Sequence, residues 1–386
     1  MSSVSPRLAI LHEWFAAWAG SEKVVEQVLD VFPEASLYAL CNFLPDEDQH
    51  FLRGRQVQTS FIQRLPFARK RFRGYLPFMP LAVEQFCFDD YDILFSSSHC
   101  VAHGALTRAD QLHISYIHSP IRYAWDLQHT YLRESGLTRG LRSTLTRIIL
   151  HYMRLWDRVS ADRVDLFLAN SQYVARRIEK TYRRPCQVLY PPVNVDAFVL
   201  QPDKEDYFVT ASRLVGYKRL DIIVQAFAQL PQWKLVVIGD GPEAVKIKQL
   251  AGANVEILGR VSDEQLKQHL QRARAFIFAA DEDFGITPVE AQACGTPCIA
   301  YGVGGSLETV VSGKTGVHFF QQSPEAVASA IKEFDRLPPF DPLEIRKHAE
   351  KFATARFQEQ LTKIVAEAWS KHQNPHDLRT VPAARD

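Results

Sequence analysis

A chain of 386 residues with 46% apolar and 23% charged residues has the composition of a globular protein that is long for one core and suited to two domains. Its 45 Lys and Arg balance 44 Asp and Glu, so the molecule as a whole lacks the basic excess of a nucleic-acid binder. The six cysteines, Cys41, Cys87, Cys100, Cys186, Cys294 and Cys298, are scattered without a C-x-x-C pair, which argues against a disulfide framework or structural zinc.

The apolar stretch Leu8 to Ala19 is interrupted by His12 and Glu13 and has no basic cluster before it, so it does not read as a signal peptide. No segment is long and apolar enough to span a bilayer, and the cytoplasm is the expected compartment. Short β-like runs (Leu8 to Leu11, Tyr91 to Phe95, His113 to Ile117, Asp165 to Ala169, Gln187 to Tyr190) alternate with helical patterns. One such helix is expected over Glu22 to Val31 with Ser21 as N-cap, and Asn170-Ser171 opens another that reaches about Arg184. Repeated βα units imply a mostly parallel sheet.

Between Gln49 and Val83 there is no Asp or Glu, while Arg53, Arg55, Arg64, Arg69, Lys70, Arg71 and Arg73 are interleaved with aromatic and apolar side chains up to Phe78. The segment Arg53 to Phe78 suits an anionic membrane surface, and it equally suits a solvated basic face over an ordinary core. Nucleic acid ranks behind both, since no binding module accompanies the charge.

Tyr190-Pro191-Pro192 breaks the alternation, and a boundary is expected between about Val193 and Glu205. This divides the chain into domains over 1–195 and 196–373, the final helix being able to pack back on the N-terminal domain, with a frayed polar tail over 374–386. Strand-like Tyr207 to Ala211, Lys234 to Ile238, Val255 to Leu258, Ala275 to Phe278 and Cys298 to Tyr301 each lead into a turn and helix, and Pro342 to Lys371 reads as a closing helical stretch. The fold class is α/β: two Rossmann-like domains facing a deep interdomain cleft, with ligands outside the carboxyl ends of the strands.

Two stretches of the second half carry chemistry. In Ala211 to Arg219, Arg213 offers a fork of donors and Lys218 a mobile point charge on one strand-to-helix loop, a pair able to hold a diphosphate. In Phe276 to Gly305, Glu282 and Glu290 are directed to one crevice. A helix is expected there with Thr287 as N-cap, Pro288 first, Glu290 at the third position and Gly295 beyond its end. Gly285 permits close approach of a ligand, and the helix start attracts phosphate. Thr287-x-x-Glu290 is also a capping box needing no ligand. Cations for a diphosphate and carboxylates for hydroxyls together describe a nucleotide-sugar site. Gly239-Asp240-Gly241-Pro242 lacks the third glycine of a dinucleotide fingerprint.

The order Arg213…Lys218 followed by Glu282-x7-Glu290 within EDFGITPVEAQACGTPCIA resembles the retaining family 4 glycosyltransferases, which have the GT-B architecture. Ala19-Gly20-Ser21-Glu22, the stretch from Tyr116 to Asp126 and Ala169-Asn170-Ser171 extend the likeness over nearly the whole chain. Within the family, HSPIRYAWD and RLVGYKRLD are similar to the GDP-mannose-dependent mannosyltransferases of O-antigen and exopolysaccharide assembly. Gly216 stands where those relatives usually have proline, and Ala19 where many have glycine.

The resemblance implies that Arg213 and Lys218 hold the diphosphate and stabilise the charge that grows on it. It places Glu282 on the hydroxyls of the transferred sugar, Glu290 on the ribose, and the backbone of Phe284, Gly285, Ile286 and Thr287 on sugar and phosphate. His118 would lie near the sugar and Gly20 would admit donor or acceptor, although a histidine before Ser119-Pro120 can equally be a plain loop residue. No cofactor or metal is expected, since Arg and Lys neutralise the leaving group. The implied activity moves mannose from GDP-mannose to a lipid-linked or growing glycan acceptor, with peripheral attachment to the inner membrane face. A UDP-sugar transferase, a nucleotide-sugar epimerase and a non-catalytic nucleotide-sugar or glycan-binding protein are the alternatives.

Overall fold

In the computed structural model, residues 6–374 are described and fall into two compact units. The first takes in the chain up to Pro191 and again from Phe357, and the second is Pro192–Arg356. The tail expected over 374–386 lies, Asn374 apart, outside the described residues.

The first unit is built on seven strands: β1 Leu8–His12, β2 Ser36–Ala39, β3 Val57–Thr59, β4 Ile93–Ser98, β5 Leu112–Ile117, β6 Leu166–Ala169 and β7 Cys186–Val188. They are parallel throughout, in the order β3-β2-β1-β4-β5-β6-β7. Alternate residues of the central strands enter two cores. Ile10, Leu37, Phe95 and Ile114 pack with Val24, Val25, Val28 and Leu29 of the helix Gly20–Val31. On the other face, Ala9, Leu11 and Leu94 meet Met79, Val83, Leu150 and Met153. Coverage of both faces is why the central strands read as near-continuous apolar runs.

The second unit contains β8 Tyr207–Ala211, β9 Lys234–Ile238, β10 Val255–Gly259, β11 Ala275–Phe278, β12 Cys298–Tyr301 and β13 Gly316–Phe319. These are again parallel, in the order β10-β9-β8-β11-β12-β13. In each sheet the order reverses once, between β1 and β4 and between β8 and β11. In open α/β sheets a ligand crevice forms outside the carboxyl ends of the strands at such a reversal.

Several expectations are corrected. β2, β3 and β13 have no counterpart in the sequence reading, being runs of only three or four residues. The first helix starts at Gly20 rather than Glu22 and its N-cap is Ala19, not Ser21. Its Glu22 carboxylate reaches back to accept from Ala19 N at 3.1 Å and Ser21 Oγ at 2.8 Å, so a side chain inside the first turn satisfies the helix start. Ser171 does cap the helix Gln172–Tyr182, accepting from Val174 N.

The closing helical stretch is broken into Pro342–Ala349, a turn over Glu350–Phe352, and Thr354–Gln373. The break is where the chain leaves the second unit: Phe352 packs on Phe284, whereas Phe357, Leu361, Ile364 and Val365 complete the core of the first unit.

The helix Leu141–Ser160 is apolar on two sides. Leu150 and Met153 face the core, while Leu141, Leu145, Ile148, Tyr152, Leu155 and Val159, spaced by threes and fours, are 45% to 89% exposed. Among the described residues no helix is long and apolar enough to cross a membrane.

Candidate functional site

In the second unit the basic loop leaves β8 and the acidic loop leaves β11, the two strands flanking the reversal of order. The Lys218 ammonium pairs with Glu282 Oε1, and the two side chains are 15% and 19% exposed. Residues 64 positions apart in the chain are thereby brought into contact. Arg213 lies on the same loop as Lys218, is exposed, and makes no ion pair among the described residues.

Glycines set the shape of both loops. Gly239 and Gly241 let the turn after β9 press on the basic loop: a Cβ at Gly239 would stand 1.8 Å from Ser212 O, and one at Gly241 2.4 Å from Leu214 O. That turn is a packing device for the Arg213 loop, which accounts for its glycines without a nucleotide fingerprint. In the acidic loop, Gly304 (φ +78°) and Gly305 run directly under Glu282 to Phe284. Gly305 N donates to Glu282 O at 2.8 Å, and a Cβ at Gly305 would meet Phe284 Cα at 2.3 Å.

The helix after the acidic loop is Ile286–Ala293, and its N-cap is Gly285 in the left-handed region (φ +86°), not Thr287. Gly285 can make the sharp turn without a capping side chain, and this moves Thr287 to the second helical position and Pro288 to the third. Glu290 consequently falls a turn further in, at the fifth position, half-buried, and is no capping-box partner of Thr287. Gly295 (φ +72°) follows the helix end as expected. Phe284 and Gly285 are buried, while Ile286 and Thr287 are partly exposed. Lys218, Glu282 and the segment from Phe284 to Glu290 therefore share the carboxyl edge of one sheet.

His118 and Gly20 belong to the first unit. Gly20 is the first residue of its helix. His118 follows β5 and joins a chain of polar groups at the β1/β4 reversal. His12 Nδ1 and His118 Nε2 bond the Ser97 hydroxyl at 3.1 and 2.9 Å, and His12 Nε2 faces Glu22 Oε1 at 3.4 Å. With His12 donating to Glu22, Ser97 donates to His12 and accepts from His118, which leaves Nδ1 of His118 as an acceptor. Burial, with His99 and His12 nearby, pushes the His118 ring well below its ordinary pKa, so it is neutral. Asn170 Nδ2 donates to His118 O at 3.0 Å and fixes the backbone.

Sequence reasoning missed the neighbouring Glu13. Its Oε1 accepts from the backbone N–H of His99, Cys100, Val101 and Ala102 at 2.7 to 3.1 Å and from Ser98 Oγ at 2.9 Å. Burial would raise this carboxyl, but His99 and the Ala102, Val101 and Cys100 amides hold it below its usual range. The one available signal was three consecutive serines, Ser96 to Ser98, in a buried strand. Much of HSPIRYAWD proves to be structural. Trp125 Nε1 donates to Asp157 at 2.7 Å, Arg177 bonds Ser119 at 2.9 Å and Asp126 at 2.7 Å, and Tyr123 contacts Cys100. Asp157, buried beside Trp125 and Tyr182, is pushed up to about 7 by that burial.

Two parallel sheets, each with its loops gathered at a strand reversal, and one loop pair carrying opposed Lys and Glu, form the architecture in which ligands sit at a sheet edge. Comparison with known proteins gives the class. The family model described as "Glycosyl transferases group 1" matches residues 194–356, and "Glycosyltransferase Family 4" matches residues 18–197. The chain belongs to the family 4 glycosyltransferases, with the GT-B fold.

The α-1,3/1,6-mannosyltransferase ALG2 of Homo sapiens is 27% identical over 331 residues, 75% of this chain and 76% of its own. The GDP-mannose-dependent α-(1-6)-phosphatidylinositol monomannoside mannosyltransferase of Mycolicibacterium smegmatis is 30% identical over 37% of this chain and 45% of its own. The O-antigen chain mannosyltransferase RfbU of Salmonella typhimurium is 27% identical over 48% and 56%. For most such relatives the match spans about half of their length. Among solved structures, HepE of Anabaena in complex with UDP superposes with a TM-score of 0.69 at 16% identity, covering 94% of this chain and all of that one.

Proposed function

We propose that this glycosyltransferase moves mannose from GDP-mannose, with retention of configuration, onto a lipid-linked or growing polysaccharide acceptor. The observation that carries the donor half is the Lys218–Glu282 pair, with Arg213 on the same loop. A diphosphate needs cations and a sugar needs carboxylates, and both stand on one sheet edge in the second unit. The second unit, Pro192–Arg356, is assigned the donor, and the first, up to Pro191 and again from Phe357, the acceptor. The names of the mycobacterial and Salmonella relatives support mannose, and that of the mycobacterial one GDP. The UDP in the HepE structure keeps a UDP-sugar as the second reading.

In this reaction the acceptor oxygen bonds to the anomeric carbon as the bond from that carbon to the phosphate oxygen breaks, and the acceptor proton passes to the leaving phosphate. The protein supplies no nucleophile. Arg213 and Lys218 take up the charge that grows on the diphosphate, the Ile286 end of its helix faces the phosphate oxygens, and Glu282 holds the sugar hydroxyls. Glu290 is assigned the ribose. Neutral His118 serves as a hydrogen-bonding group for sugar or acceptor rather than as a charge. With two cations on the diphosphate no metal is required, and activity should survive a chelator.

A lipid-linked acceptor would bring the first unit to an anionic bilayer through Arg53–Phe78. Support comes from Phe67, which is 77% exposed and precedes Arg69, Lys70 and Arg71. The test of the donor assignment is thermal shift against a panel of GDP-, UDP-, ADP- and dTDP-sugars, followed by transfer assays with and without chelator. GDP-mannose should raise the melting temperature most, because a ligand of the native state alone adds stability. Selective response to a UDP-sugar overturns the GDP assignment, and a strict need for Mn²⁺ or Mg²⁺ overturns metal independence.

A further inference from the structure

The first unit carries a half-open pocket of about 440 Å³ that none of the residues assigned to donor or sugar touches. Its size is that of a ligand site, about 300 to 1,000 Å³. One side is formed by Leu76 and Met79 in the basic-aromatic segment, and the other by Leu132, Leu137 and Leu150. Trp14, Tyr123 and Tyr131 add aromatic surface.

The lining contains no carboxylate and no carboxamide, the groups that read sugar hydroxyls. Its one formal charge is Arg73. That side chain is exposed, rests on the Phe72 ring at 4.9 Å and makes no ion pair among the described residues. Ser135 and Thr146 complete the polar lining together with His99. His99 meets Trp14 edge-on at 4.7 Å between ring centroids and stands 6.4 Å from His118, so an occupant that reaches it is one ring away from the His118 chain. Burial, opposed by Glu13, lowers the pKa of His99, and it adds no second charge at neutral pH.

We propose that this pocket holds the hydrocarbon nearest the phosphate of a lipid-phosphate acceptor, with Arg73 at the rim meeting that phosphate, and farnesyl phosphate serves as its probe. A bare glycan has no use for five aliphatic walls. A hydrocarbon without an anion makes no use of the exposed guanidinium at the rim, while an amphiphile with both parts matches both the apolar walls and the charge. The proposal rests on the transferase reading with a lipid-linked acceptor and names the part of the acceptor that the protein grips.

The test uses the full chain with farnesyl phosphate and farnesol, each below its aggregation concentration, followed by tryptophan fluorescence and native mass spectrometry. Farnesyl phosphate should bind saturably at one equivalent and change the fluorescence, and the change should vanish in Trp14→Phe. Arg73→Gln, at an exposed position, should weaken farnesyl phosphate about tenfold and leave farnesol unaltered. Leu137→Trp, in the partly exposed turn at one wall, should fill the space and abolish both. Farnesyl phosphate binding no tighter than farnesol, a fluorescence change that survives Trp14→Phe, or undiminished binding in Leu137→Trp would overturn the proposal. Nucleotide-sugar binding is measured on the same samples by thermal shift. Donor binding without farnesyl phosphate binding removes the pocket proposal alone. Farnesyl phosphate binding without any response to nucleotide sugars removes the transferase reading and leaves the pocket.

Discussion

Lys218 and Glu282 neutralise one another across the β8/β11 reversal. On the proposed donor assignment, an arriving diphosphate would draw the ammonium away from that carboxylate and leave the carboxylate to the sugar. Glu282→Gln removes the competitor without shortening the side chain. It should bind GDP at least as tightly as the parent while kcat/KM for transfer falls by about 10²-fold or more. Calorimetry with GDP and a radiolabelled transfer assay separate the two effects, and parallel loss of both would mean that Glu282 merely holds the loop.

Gly216 is a glycine without need of glycine. Its φ is not positive, nothing lies within 4 Å of a Cβ built there, and it opens the turn Gly216–Lys218. The preceding Val215 is already extended (φ −127°, ψ 153°), as a residue before proline must be. Gly216→Pro should therefore stabilise the second unit by about 0.5 to 1 kcal/mol through the unfolded chain, with donor binding retained. A lowered melting temperature would contradict this.

Glu13 holds the turn after β4 by converging four amides on one carboxylate. Glu13→Ala leaves those donors buried and unpaired and should destabilise the first unit by about 3 kcal/mol or more. Glu13→Gln, which keeps an accepting oxygen, should cost less. Chemical denaturation of the two variants measures the difference.

Phe67 is a bulky residue held at φ +59° with its ring in water, a conformation that costs about 1 to 2 kcal/mol in a non-glycine residue. Membrane insertion would reward that exposure. Co-sedimentation with vesicles rich in phosphatidylglycerol should exceed that with neutral vesicles, and Phe67→Ser should reduce binding about tenfold. Equal binding to both vesicle types argues for a solvated basic face instead.

His113 is fully buried between β4 and β6, bonded to Ser96 Oγ at 2.9 Å, and burial lowers its pKa to about 3. In the unfolded chain it titrates near its ordinary value, so below that value the unfolded state carries the extra proton. Stability is then present at neutral pH and lost as the pH falls toward 3, by up to about 1.4 kcal/mol per pH unit for this one group. His118 and His99 are depressed in the same direction. The melting temperature should fall from pH 7 to pH 4, and His113→Leu should flatten the fall. Asp157, raised to about 7, acts with opposite sign over much of that range and tempers the slope.

The sequence carried the two-sheet architecture because apolar runs such as Leu8 to Leu11 and Lys234 to Ile238 are buried on both faces and bounded by turn residues. The meeting of Lys218 with Glu282 was legible, since each sits in the loop that follows a recognisable strand, and Arg213 stands on the Lys218 loop. What escaped was local geometry decided from a distance. Thr287 looks like a cap, yet Gly285 takes a left-handed turn two residues earlier, above the backbone of Gly304 and Gly305. Glu13 satisfies amides 86 to 89 positions away, and no pattern in neighbouring residues reveals that partnership.

The core of the first unit is closed by Phe357, Leu361, Ile364 and Val365, which follow the whole of the second unit in the chain. During translation the second unit, an unbroken stretch, can fold as it leaves the ribosome. The earlier-born sheet must wait, one flank uncovered, until nearly all of the polypeptide has emerged. The portion made first is the portion finished last, and a nascent chain arrested before Phe357 should carry an open hydrophobic face that a chaperone would recognise.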